Sequence, residues 1–91
     1  MKHINKSDIE LCVRGIITSQ FGNDSGNISG NSALADTIQD YSSLSSLNLI
    51  NKIEDEFNLE VDFVSDDIRY SFANINNIVN YIKERLEDNL D

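Results

Sequence analysis

Apolar residues along this chain recur at steps of three and four and nowhere alternate with period two, so the pattern predicts helices and no strands. Ile9, Cys12, Val13, Ile16, Ile17 and Phe21 mark one face of a first helix. Its start is read at Ser7-Asp8-Ile9-Glu10, which has the S-x-x-E form of a capping box, and its stop at Gly22. A second stripe, Leu44, Leu47, Ile50, Ile53 and Phe57, widened by Leu49, predicts a helix from Ser42-Ser43 to near Phe57. Leu59 and Val61, in the connection that follows, are expected to pack inward. Ser65-Asp66-Asp67 reads as the cap and first turn of a short helix through Ile68 to Phe72. Asn74 then caps a last helix with Ile75, Ile78, Val79, Ile82 and Leu86 on one face.

Residues 22–33, GNDSGNISGNSA, hold three of the four glycines among many Asn and Ser. They predict a flexible first connection, reaching to about residue 36, with Ile28 tucked inward. There is no proline. The sum is an all-α bundle, three main helices plus one short helix with a long first loop, as a single domain over 1–91 whose residues 1–6 fray. On this reading Cys12 is a small buried hydrophobe rather than a reactive thiol. Asp24, Asn27 and Ser29 lack both the spacing and the closing Glu of a calcium loop.

Composition narrows the function classes. The 91 residues carry 16 acids against 7 bases, a net charge of −9. Such a field disfavours nucleic acid and anionic membrane surfaces and favours basic protein partners. A single cysteine allows no internal disulfide and no Cys-rich metal site. No apolar run approaches the roughly 20 residues of a membrane span. The first residues lack a secretory apolar stretch, so the Asn-X-Ser triplets at Asn5, Asn23 and Asn27 read as coincidences and a cytoplasmic location is expected. The sole histidine, His3, has no Ser/Asp or Cys partner pattern, and no H-E-x-x-H, P-loop or G-x-G-x-x-G occurs. The chain is not expected to be an enzyme.

Seven acids and no Lys or Arg lie between Ile53 and Ile68. Glu54, Asp55 and Glu56 sit at a helix end where the dipole opposes them, at about 0.3–1 kcal/mol each. A partner-docking role stands there beside the plainer one of a solvated face.

The stretch Ser42-Ser43-Leu44-Ser45-Ser46-Leu47-Asn48-Leu49-Ile50-Asn51-Lys52-Ile53-Glu54-Asp55-Glu56-Phe57 resembles the second helix of acyl carrier proteins and peptidyl carrier domains. That family shows D-S-L at the helix start, an aliphatic stripe, then an acidic end closed by Phe. Ser71 through Ile82 is similar to its last-helix entry, F-x-x-I-x-x-I-v-x-y-I, and Ile38 to Tyr41 looks like the loop leading into its serine. The resemblance spans about Ile38 to Leu86. It implies a four-helix acyl-carrier-like fold and a covalent 4′-phosphopantetheine on Ser43, fourteen residues before Phe57; Ser45 and Ser46 are out of register. It further implies a carrier that holds acyl or aminoacyl groups as thioesters; a monomer is the default expectation for so small and acidic a domain. Its partners would be a phosphopantetheinyl transferase and acyl-loading and acyl-processing enzymes, whose basic patches would meet Leu44, Leu47, Glu54, Asp55 and Glu56. Cargo of the fatty acyl, polyketide or aminoacyl kind stays open.

Ser43 suits the role physically, because a phosphodiester at a helix start lies beside unpaired N–H groups and the positive dipole end. The plainer reading makes Ser42 or Ser43 simply an N-cap. One departure stands out. The family's usual Asp before the serine is Ser42 here, and a hydroxyl is a poor replacement for a carboxylate at magnesium. Ser45 and Asn48 also stand where acids are common. The alternative is therefore a carrier-like helical interaction module that is never modified.

Overall fold

The structure, a computed structural model, describes residues 5–22, 24–39, 41–63 and 67–88. It is all-α, with helices α1 (Lys6–Phe21), α2 (Leu34–Thr37), α3 (Ser43–Phe57), α4 (Ile68–Ser71) and α5 (Ile75–Asp88) and a 3₁₀ turn at Ser25–Asn27. No strand occurs among the described residues. His3, Ser65 and Asp66 lie outside them.

One core unites the elements. It takes Ile9, Val13 and Ile17 from α1, Leu49, Ile50 and Ile53 from α3, and Ile75, Ile78, Val79 and Ile82 from α5. Leu34 of α2 and Phe72 after α4 close it at one end, and Leu59 and Val61 join from the connection, as their sequence positions predict. Full burial of such an aliphatic side chain contributes about 1.5–3 kcal/mol, so these side chains define the bundle. α1 lies against both α5 and α3, and α4 against α5.

Four features of the helices depart from the expectations. The cap of α1 is Asn5, whose side chain accepts from Ser7 N at 2.7 Å, so Ser7 is already inside the helix and the fraying expected over 1–6 does not reach Asn5 or Lys6. Cys12 is exposed rather than buried. The buried ladder of α1 advances strictly by four, from Ile9 to Val13 to Ile17, and Cys12 stands about 100° of turn away from Val13. In α3, Leu44 and Leu47 are 68% and 45% exposed. Steps of three fall about 60° short of a full turn, so the series Ile50, Leu47, Leu44 rotates progressively out of the core. α2, absent from the expected elements, has only four residues, too few to display a period, yet its Leu34 is fully buried.

The first connection is pinned rather than flexible. Arg14, paired with Glu10 at 2.9 Å, donates from Nη1 to the Gly26 and Ile28 carbonyls at 2.9 and 2.6 Å. Gly26 is buried so tightly that a Cβ there would collide with Thr18 Oγ1 and the Arg14 carbonyl. Farther on, Asn76 N donates to Gly30 O at 3.0 Å, Asn76 Nδ2 to Asn31 Oδ1 at 2.7 Å, and Leu34 N to Ala73 O at 2.9 Å. Asn31, which reads as a loop former, and the backbone of Gly30 and Leu34 here hold the connection onto the start of α5. Ile28 is half-buried against the core, as expected.

Both helices of the C-terminal part, α4 and α5, start on short polar side chains. Asn74 Oδ1 accepts from Asn77 N at 2.8 Å at the start of α5. Asp67 Oδ1 accepts from Tyr70 N at 3.3 Å, so the single turn of α4 begins one residue after Asp67.

Candidate functional site

The start of α3 is built from four serines in two roles. Ser42 adopts an extended backbone, with φ −135° and ψ 175°, and its Oγ accepts from Ser45 N at 3.2 Å. Ser42 is thus the N-cap, and its hydroxyl also stands 3.1 Å from Ser45 Oγ. Ser45 is half-buried, and its carbonyl accepts from Gln20 Nε2 at 2.9 Å, which ties the end of α1 to the first turn of α3. Ser46 is half-buried on the inward side. Ser43 differs from Ser42 and Ser45 in lacking a hydroxyl partner among the described residues and from Ser46 in being exposed. It is the first helical residue, it is exposed, and its hydroxyl makes no hydrogen bond among the described residues. Of the serine cluster it offers the freest nucleophilic oxygen.

Beneath this position α3 is anchored by Leu49, Ile50 and Ile53, each fully buried. Its far end stops at Asn58, which takes the left-handed conformation at φ 55° and ψ 49° and returns its N–H to Glu54 O. Ser43 therefore projects from a fixed element.

An open groove of about 510 Å³ runs beside Ser43, between the start of α3, the α2 segment and α4. Ala33, Ala35, Ile68, Phe72 and Ala73 give it an apolar lining, and Ser43 and Ser46 form part of its α3 wall. Tyr41 lines it too, with its ring 5.5 Å from that of Phe21 and its hydroxyl without a partner. Arg69 is the one charged residue of the lining among the described residues. Neither Tyr41 nor Arg69 is apparent as a site residue from periodicity. Arg69 did leave a trace in the sequence, as the first base after the long acidic stretch that begins at Glu54.

The five residues expected at a docking surface separate into three environments. Leu44 and Leu47 share the outer face of α3 and are exposed. Asp55 and Glu56 are exposed at the other end of the helix, where with Lys52 they line a shallow groove against Cys12 and Ile16 of α1. Glu54 is half-buried, and its Oε2 accepts from Val61 N at 2.8 Å. The carboxylate of Glu54 thus has a place in the fold, holding the connection that carries Leu59 and Val61 into the core.

Among the described residues, no helix is long and apolar enough to cross a membrane, and no group of His, Cys, Asp or Glu is placed to hold a metal ion. Compared with protein-family models, with curated proteins and with solved structures, the chain matches none.

Proposed function

We propose that this chain is a carrier protein modified on Ser43 with 4′-phosphopantetheine, and that it presents acyl or aminoacyl groups to partner enzymes. The observation that carries the reading is Ser43 itself: an exposed, unbonded hydroxyl at the first position of a helix whose middle is anchored in the core by Leu49, Ile50 and Ile53. The sequence resemblance selects the same residue out of four serines, by an independent criterion. The order of helices, with a long pinned first crossover and a single-turn helix before the last, also agrees with the four-helix carrier bundle that the resemblance implies.

The residues present suit such a group. Ser43 gives a free oxygen for attachment, the helix start favours an attached anion, and the groove beside it is open and largely apolar. When bound, the arm would supply a thiol for thioester formation. Attachment forms a bond from Ser43 Oγ to phosphorus at the pyrophosphate of coenzyme A, breaks the P–O bond to the departing adenosine bisphosphate, and releases the hydroxyl proton. The chain's own contribution is position: α3 fixes the anchor, and Leu44 and Leu47 offer partners an apolar contact next to it. Asp55 and Glu56 add charge that would steer basic partners and set on-rate more than affinity. Glu54, engaged with Val61 N, belongs to the scaffold of that surface.

One observation favours the unmodified interaction module as the second reading. Ser42 Oγ is committed to capping Ser45, so the position before Ser43 presents neither a carboxylate nor an unengaged hydroxyl to a transferase's metal. A single experiment separates the two. The purified protein is incubated with coenzyme A, magnesium and a transferase from its own host, and intact mass is recorded beside a Ser43→Ala control. The carrier reading expects the gain of one phosphopantetheine, absent from Ser43→Ala. No gain, or an equal gain in the variant, sinks it and leaves the module.

A further inference from the structure

We propose that Arg69 is a positioning residue for the arm on Ser43, its guanidinium pairing with the phosphodiester across the groove between α3 and α4; this rests on the carrier reading above.

Three observations lead to it. Arg69 and Ser43 line the same groove from different elements, and among the described residues no other charged side chain lines it. The Arg69 side chain is exposed and makes no hydrogen bond or ion pair among the described residues. It is also the first base after a stretch holding seven acids, in a chain with 7 bases against 16 acids. Arg69 borders a groove whose lining, among the described residues, offers it no anion. A phosphodiester on Ser43 would supply that anion. The planar guanidinium fork matches phosphate oxygens in a two-point contact, which a lysine cannot reproduce. Arginine thus meets the phosphate from one side while the helix start of α3 meets it from the other. Both partners are exposed, so the pairing is screened by salt and shifts the population of arm orientations without locking them.

The test uses the full chain, loaded with coenzyme A by a transferase, as wild type, Arg69→Gln and Arg69→Lys. Intact mass first establishes loading. On the loaded proteins, the phosphorus NMR resonance is followed from low to high salt, and the alkylation rate of the arm thiol is measured at low salt. The expected result is a phosphorus resonance in Arg69→Gln that differs from wild type at low salt and converges with it at high salt. Thiol alkylation in Arg69→Gln rises roughly two- to five-fold, the range that loss of an exposed ion pair permits. Arg69→Lys stays nearer wild type than Arg69→Gln does, because it keeps the charge. Equal resonances and equal alkylation rates in loaded wild type and Arg69→Gln overturn the proposal while leaving the carrier reading intact. Failure of wild type to load overturns both, and mass alone tells the two failures apart.

Discussion

α3 and α5 are close to the same length and carry the same three-and-four spacing of aliphatic residues, yet they use it differently. α5 commits Ile75, Ile78, Val79 and Ile82 entirely to the core. α3 commits Leu49, Ile50 and Ile53, and leaves Leu44 and Leu47 at 68% and 45% exposure. The difference is one of phase. On α5, steps of three and four alternate and the stripe stays centred, whereas on α3 the first two steps are both threes and the stripe winds away from the core. Burial demands explain α5 completely. They leave two leucines next to Ser43 unexplained, and on the carrier reading a contact surface for partners would account for them.

The sharpest way to break this contrast is to truncate the same kind of side chain on each helix. Ile78→Ala should cost about 2–5 kcal/mol in chemical denaturation, since it opens a cavity in a fully buried site. A loss below 1 kcal/mol there would mean that α5 is not the anchored partner described. The helix starts come next. Asn74→Ala and Ser42→Ala each remove a cap and should cost about 0.5–2 kcal/mol, with Asn74 the larger because its bond is the shorter and the site is half-buried. If Ser42→Ala were neutral while Asn74→Ala was not, the Ser42 Oγ bond to Ser45 N would be dispensable and Ser42 free for another role.

Smaller still, Leu44→Ala and Leu47→Ala should change stability by less than about 0.5 kcal/mol. On the carrier reading both should nonetheless slow loading by the transferase, so their effect appears in kinetics and not in melting. Smallest in stability is Ser42→Asp, which keeps a capping oxygen and stays within about 0.5 kcal/mol of wild type. Its loading rate should rise, because a carboxylate returns beside Ser43; an unchanged rate would show that the transferase makes no use of this position.

Much of this architecture is legible in the chain. The stripe of α5, the Asn74 cap, the inward turn of Leu59 and Val61 and the stop at Gly22 all follow from local chemistry, because each depends on spacing within one element. What escapes is set between elements. Periodicity cannot reveal that Glu54 reaches Val61 N or that Arg14 gathers the carbonyls of Gly26 and Ile28, since both bonds join segments with no common period. For the same reason an Asn-, Ser- and Gly-rich stretch reads as loose when it is held at both ends. At the candidate site, residue type and register single out Ser43, while the division of labour between Ser42 as cap and Ser43 as free hydroxyl needs the backbone angles of the helix start. Arg69 comes into view only when α4 is laid beside α3.

The bonds from Gly30, Asn31 and Leu34 to Ala73 and Asn76 have a consequence for the order in which the molecule assembles. Asn31 and Asn76 lie 45 positions apart, so the bond between them closes a long loop and must wait for its distant partner. On a ribosome, α1 and α3 can collapse together while the start of α5 is still being made. The Ala33–Ala35 wall of the groove lacks its bonds to the Ala73–Asn76 stretch until that stretch has emerged. The surface beside Ser43 is therefore completed late in folding, and a transferase that reads this wall would discriminate finished chains from unfinished ones.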